Sequence, residues 1–207
     1  MRKLILISGF IICSLTNFAQ VTGTFTDSRN GQTYKIVTIG TQTWIAENIN
    51  FKTSGSWCYD ESSSNCGKYG RLYTWEAAKN ACPSNWHLPS EEEWVILELY
   101  LGMTADDANI FLHRGGGIGT KLKSENDWKL DDGTDHGDNL TGFNALPGGY
   151  RLFYDSTFVD MGKRGSWWSS TLDGQYAFRR SLFYNKSGID RDLATRANGF
   201  SVRCVKD

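Results

Sequence analysis

Five cysteines and three histidines are the residues of this chain best suited to redox, metal or nucleophilic chemistry, and their spacing limits what they can do. Cys58 and Cys66 flank a short polar loop, Cys82 follows a run of helix formers, and Cys204 lies three residues before Asp207. No two of them stand in a Cys-x-x-Cys pair, which disfavours a four-thiolate zinc site. Three pairings of these four are open. A local 58–66 bridge leaves 82–204 as the long one, and chain entropy would make the two worth roughly 2.5 and 5 kcal/mol. His87, His113 and His136 lack a second histidine at metal-ligand spacing, so there is no His-Glu-x-x-His zinc helix. Gly115 to Lys121 is rich in glycine, but it misses the Gly-x-x-x-x-Gly-Lys-Ser/Thr spacing of a phosphate loop and reads as a flexible loop.

Oxygen donors and aromatic rings give two further candidates. Asp131, Asp132, Asp135 and Asp138 are hard ligands of the kind Ca²⁺ takes, and Ca²⁺ is the only cofactor the sequence suggests. The competing reading is a solvated loop, because the EF-hand spacing and its bidentate Glu are missing. Trp167 and Trp168 are adjacent, so in a strand they point to opposite faces and at most one is expected in the core on a given side. The other is expected in a groove with Tyr150, Arg151 and Tyr154, where rings stack on sugar faces or anchor a protein partner. Most of the eight tryptophans are nevertheless expected in the core, since large aromatics dominate burial.

The first cysteine, Cys13, belongs to a different part of the chain. Residues 1–19 read as a secretory signal: Arg2 and Lys3 form a basic start, an apolar stretch follows, and Ala19 is a small residue at the cleavage point. A lipoprotein signal acylated at Cys13 is the weaker reading, because Phe10-Ile11-Ile12 are bulky where a lipobox wants small residues. The apolar run is shorter than the roughly 20 residues a bilayer requires, so no transmembrane segment is expected. Removing residues 1–19 leaves 20 basic and 23 acidic residues, a net charge of −3, and four cysteines bound for an oxidising compartment. That charge balance removes the simplest case for nucleic-acid binding, which needs clustered excess Lys and Arg.

Residues 20–207 suit one domain without an internal repeat or linker. The early part reads as strands: Asn30-Gly31 as a type I′ turn, then β-branched residues from Tyr34 to Ile39, a turn at Gly40-Thr41, and Gln42 to Ala46. Thr74 to Ala81 reads as a helix capped by Thr74 and stopped by Pro83. Ser90-Glu91-Glu92-Glu93 is a capping box, with Trp94, Leu97 and Leu101 sharing a helical face. Thr104 to His113 reads as a third short helix. Beyond it, 152–154, 167–170, 177–184 and 199–205 read as strands of an antiparallel sheet. The fold class is α+β: two or three short helices, a small twisted antiparallel sheet, long loops and two disulfides.

Several phrases are specific together: Gly40-Thr41-Gln42-Thr43-Trp44-Ile45-Ala46-Glu47-Asn48, Tyr69-Gly70-Arg71-Leu72-Tyr73-Thr74-Trp75, Cys82-Pro83-Ser84-Asn85-Trp86-His87-Leu88-Pro89-Ser90, Gly142-Phe143-Asn144-Ala145-Leu146-Pro147-Gly148-Gly149-Tyr150, Trp167-Trp168-Ser169-Ser170 and Gly199-Phe200-Ser201-Val202-Arg203-Cys204. The chain from about Gly23 to Asp207 resembles the Fibrobacter succinogenes major paralogous domain, a secreted bacterial family without an established biochemical role. More distantly it is similar to the formylglycine-generating, sulfatase-modifying family and to C-type-lectin-like domains. The resemblance implies a C-type-lectin-like fold, in which a helix-end cysteine pairs with one in the last strand, in agreement with an 82–204 bridge. It also implies a secreted, non-catalytic binding module for a polysaccharide, glycoprotein or cell-surface protein. The Glu-Pro-Asn and Trp-Asn-Asp signatures of sugar-binding C-type lectins are absent. The alternatives are an enzyme that modifies secreted proteins, for which no C-terminal thiol is left once Cys204 is bridged, and a structural envelope protein.

Overall fold

The computed structural model describes residues 21–131 and 136–207. The expected signal segment, 1–19, lies outside the described residues.

The chain opens with an antiparallel hairpin, β1 (Val21–Thr26) and β2 (Thr33–Ile39). Of the Asn30-Gly31 pair only Gly31 takes a positive φ, 74°, so the turn is not the tight two-residue type that the dipeptide predicts. Asp27 sets the wider loop instead: its carbonyl accepts from Gly31 N and its carboxylate holds Arg29 Nε and Nη2. Strand β3 (Gln42–Ile45) follows after one short turn. Tyr34 and Ile36 face one side of β2 while Val37 and Ile39 face the other, so this sheet is apolar on both faces.

Next come β4 (Ser56–Trp57), α1 (Ser63–Tyr69), which carries Cys66 of the Cys58–Cys66 bridge, β5 (Leu72–Tyr73) and α2 (Trp75–Ala78). Thr74 caps α2 as expected, its hydroxyl accepting from Ala77 N. The helix is shorter than the predicted 74–81. Its ladder passes into i→i+3 bonds, Asn80 N to Ala77 O and Ala81 N to Ala78 O, and Arg29 donates to the free carbonyls of Asn80, Ala81 and Cys82 beyond it. Strand β6 (Trp86–His87) leads into α3 (Glu91–Tyr100), where Ser90 and Glu93 form the predicted capping box. Trp94, Leu97 and Leu101 are buried as the helical spacing requires, and so are Glu91 and Glu98 on the same face.

The expected third helix, 104–113, is a correction: α4 covers only Ala105–Ala108, and β7 (Leu112–Arg114) is an edge strand. The glycine-rich stretch is a second correction. It turns into α5 (Ile118–Leu122), whose Ile118 and Leu122 are buried. Strands β8 (Gly148–Arg151), β9 (Phe158–Met161), β10 (Arg164–Asp173), β11 (Tyr176–Phe183) and β12 (Ile189–Thr195) complete a six-stranded sheet of order β7-β12-β11-β10-β8-β9. Residues 152–154, expected as a strand, lie in the loop between β8 and β9, and β12 was not foreseen.

The final β13 (Val205–Lys206) joins the other sheet, of order β1-β2-β3-β13-β6. The expected last strand, 199–205, is therefore divided. Phe200 and Ser201 hydrogen bond to Tyr73 and Ser166, while the carbonyls of Val202 and Cys204 accept from Ile49 and Ile45. This segment stitches the elements together, and the Cys82–Cys204 and Cys58–Cys66 disulfides, both as expected, fix it and the α1 loop. The result is a mixed α+β fold with few helices, antiparallel sheets apart from one parallel contact of β8 with β10, and two disulfides.

Two core clusters lie on opposite faces of β10: Trp44, Trp94, Phe143 and Trp167 belong to one, and Tyr73, Trp75, Trp168 and Phe200 to the other. Seven of the eight tryptophans are buried, Trp57 being the exception, so tryptophan in this chain is core material.

Candidate functional site

The phrases that single the sequence out meet at one buried side chain, Asn48. Its Oδ1 accepts from Trp167 Nε1 at 2.8 Å and from Arg203 Nε at 2.9 Å, while its Nδ2 donates to the carbonyl of Tyr69 at 2.8 Å. Arg203 is fully buried and reaches three main-chain carbonyls besides, those of Ile45, Phe143 and Asn144. It faces no carboxylate at ion-pair distance among the described residues. Burial pushes its pKa down to about 9, against the opposing pull of the more distant Glu47. Gly70 is required beside this node: its φ is 72°, and a Cβ there would stand 2.6 Å from Asn48 Cβ and 2.7 Å from Asn48 O.

The first family phrase thus supplies Asn48, the second Tyr69 and Gly70, the fourth Phe143 and Asn144, the fifth Trp167 and the last Arg203. Other members of these phrases do similar work. Arg71 Nη1 lies 3.3 Å from each sulfur of the Cys58–Cys66 bridge, Trp75 Nε1 donates to Ser169 O, and Trp168 Nε1 donates to Tyr73 O. These are polar groups satisfied inside a folded scaffold.

A family model described as the Fibrobacter succinogenes major domain matches residues 37–206. The chain belongs to this family. No curated protein and no solved structure matches it.

In this Fibrobacter succinogenes major domain, the residues expected to form a ligand groove are dispersed. Trp167 and Trp168 are 1% and 0% exposed, which corrects the expectation that one of them would be left for a ligand. They do point to opposite faces, but both faces of β10 are covered, so each indole enters its own cluster. Arg151 stacks on Trp57, 4.1 Å from the ring centroid. Tyr154 is 68% exposed at the tip of the loop after β8, edge-on to Phe153. Tyr150 lines a cleft.

That cleft, of about 460 Å³, lies over β10, β11 and β12 and is lined by Tyr150, Arg164, Tyr176, Arg179, Asn198 and Phe200, with Leu152 and the segment Leu193–Thr195. Sequence reading missed Arg164, Tyr176 and Arg179. The alternation of β11 was the available signal, because it sends adjacent Arg179 and Arg180 to opposite faces. Arg180 goes to the sealed side, where Glu98 takes its Nε and Glu91 its Nη1, and the same two carboxylates bind Arg114 and Arg191. Arg179 goes to the cleft side. Its Nη2 binds Asp192 at 2.6 Å and its Nη1 donates to Ser181 Oγ. Arg164 Nη2 donates to the same Ser181 oxygen at 3.2 Å, and its Nε to Ser166 Oγ at 3.0 Å.

A second cleft of about 470 Å³ is lined by amides and carboxylates that include Asn48, Asn50, Glu47, Asp127 and Asn144. Its polar groups are largely paired with one another. Tyr34 Oη accepts from Asn50 N, Glu47 from Lys35 N, Asn139 Oδ1 from Asn144 N, and Lys68 binds Asp127.

Of the candidate calcium ligands, Asp132 and Asp135 lie outside the described residues. Asp131 sits 3.3 Å from Lys129 Nζ, and Asp138 Oδ1 accepts from Leu140 N. No group of three or more His, Cys, Asp or Glu among the described residues could hold a metal ion. His87 is held between Glu93 at 2.7 Å and Asp207 at 2.6 Å, His113 pairs with Asp190, and His136 is exposed. No helix among the described residues is long and apolar enough to cross a membrane.

Proposed function

We propose that the protein is a secreted, non-catalytic binding module on a C-type-lectin-like scaffold, and that it takes a polysaccharide or the glycan of a cell-surface glycoprotein in the cleft beside Tyr150. The observation that carries this reading is the division of labour in the chain. Many residues of the family phrases enter buried hydrogen bonds around Asn48, Tyr73 and Arg203, while Tyr150 and Phe200 of the same phrases wall an open cleft together with Tyr176 and polar side chains. A ring with a polar tip beside hydrogen-bonding groups suits a sugar, whose faces are apolar and whose edges carry hydroxyls.

The alternative is an enzyme modifying secreted proteins. Its thiol-dependent form is disfavoured because Cys58, Cys66, Cys82 and Cys204 are all bridged. Binding of purified protein to an array of plant and bacterial polysaccharides tests the proposal. Retention of at least one class is expected, with Tyr176→Ala weakening it about tenfold through lost stacking. An empty array would overturn the reading in favour of a structural envelope protein, and chemical turnover of a bound glycan would overturn its non-catalytic part.

A further inference from the structure

The six-stranded sheet carries arginines on both faces, and the two faces are neutralised very differently. On the sealed face Arg114, Arg180 and Arg191 are bound by Glu91 and Glu98 through four ion pairs of 2.5–2.7 Å. On the cleft face Arg164 and Arg179 share one hydroxyl oxygen, Ser181 Oγ, so two like charges meet across a single atom. One carboxylate, Asp192, binds Arg179 there, and Arg164 has no ion pair among the described residues. Asp160 and Asp192 also act on Arg164 from beyond ion-pair distance, and Asp190, near enough to act on both arginines, is engaged by His113 and Lys186.

Such a pair is costly to build. Burial lowers the pKa of Arg164, and burial together with the neighbouring Arg164 charge lowers that of Arg179 to about 10. Arg179 Nε is buried with no hydrogen-bond partner. A guanidinium presents a planar fork that matches the two oxygens of a carboxylate or sulfate, and partial desolvation strengthens that attraction. Arg164 also lies 4.8 Å from the Tyr150 ring, which places the cation beside an aromatic wall of the same cleft.

We infer that Arg164 and Arg179 form an oxyanion site, and that the cleft selects polysaccharides bearing uronate carboxylates or sulfate esters over neutral ones. This rests on the binding-module reading for the polysaccharide and on the arginine geometry for the anion. Arg164 supplies a guanidinium held by two serine hydroxyls with no carboxylate at ion-pair distance among the described residues, Arg179 the second charge, and Tyr150 and Tyr176 the walls against which the sugar ring lies.

The test compares polygalacturonate, dextran sulfate and neutral dextran at one fixed ionic strength, and adds inorganic sulfate and glucuronate as small probes followed by thermal shift. Wild type is expected to bind at least one acidic polymer about tenfold or more tightly than dextran, and Arg164→Gln to lose about tenfold of that preference. Arg164→Lys keeps the charge without the fork and is expected to recover only part of it. Which acidic polymer is retained distinguishes carboxylate from sulfate. Because Arg164 is partly buried, stabilisation of the wild type by sulfate or glucuronate gives a readout that needs no variant.

Equal binding of dextran and acidic polymers, unchanged by Arg164→Gln, would overturn the anion site and leave the binding module standing. Tight acidic-polymer binding that Arg164→Gln does not weaken would mark general polyanion attraction and also overturn the site. If no polymer binds but sulfate or glucuronate stabilises wild type and not Arg164→Gln, the oxyanion site stands and the polysaccharide reading falls. An acidic peptide that outcompetes every polymer would overturn the polysaccharide assignment.

Discussion

At the scale of single residues, Asn48 is the side chain on which most of the family phrases depend. Replacing it by alanine removes the acceptor shared by Trp167 Nε1 and Arg203 Nε and leaves a fully buried guanidinium short of a partner. Asn48→Ala is therefore expected to cost about 3 kcal/mol, measured by urea unfolding, since hydrogen bonds to buried charged groups are worth about 1.5–3 kcal/mol each. His87 gives a pH-dependent counterpart. Burial alone would lower its pKa, but hydrogen bonds to Asp207 and Glu93 and their charges outweigh that and raise it above 6.5. A raised folded-state pKa means that protonated His87 stabilises the fold, fully below the unfolded value and not at all once the pH has passed the folded one. The melting temperature of wild type should thus exceed that of His87→Gln at about pH 5.5, with the gap closing by about pH 9. A gap that stays constant with pH would show that the ring acts by packing alone.

At the scale of elements, the two disulfides constrain different amounts of chain. Cys58–Cys66 spans 8 positions and ties α1 to the end of β4, and Cys82–Cys204 spans 122, tying the residues after α2 to the closing segment. Chain entropy makes the long bridge worth about 5 kcal/mol and the short one about 2.5 kcal/mol. Cys82→Ser with Cys204→Ser should therefore lower the urea midpoint about twice as far as Cys58→Ser with Cys66→Ser. The reverse order would mean that the contacts of Arg71 with the short bridge matter more than loop entropy. Elements with strong local signals were legible: the Ser90 capping box, the Thr74 cap and the buried positions Trp94, Leu97 and Leu101. Those decided by distant partners were not. Leu112–Arg114 is a strand because β12 pairs with it and Glu98 receives Arg114, although the local pattern favoured helix.

At the scale of the whole molecule, β10 is the shared wall of both core clusters, with Trp167 in one and Trp168 in the other. Neither cluster can loosen without exposing a face of the same strand, so unfolding should be a single cooperative transition. Tryptophan fluorescence and far-ultraviolet circular dichroism are expected to give coincident denaturant curves, whereas separated midpoints would show the clusters to be independent units. The same covering of both faces explains why the candidate site was only partly legible. Tyr150 is legible as an aromatic expected beside the Trp167-Trp168 pair, but Arg164 and Arg179 look like any other arginines until the sheet sorts them.

The sequence by itself determined the family, the α+β class and the caps, because each depends on residue type and short spacing; it left three cysteine pairings open, and the structure has 58–66 with 82–204. Only the tertiary structure decided that both adjacent tryptophans are buried and that Arg180 is neutralised while its neighbour Arg179 faces a cleft. These outcomes depend on what covers each face of a strand, and that is settled by segments up to 155 positions away, as Asn48 and Arg203 illustrate.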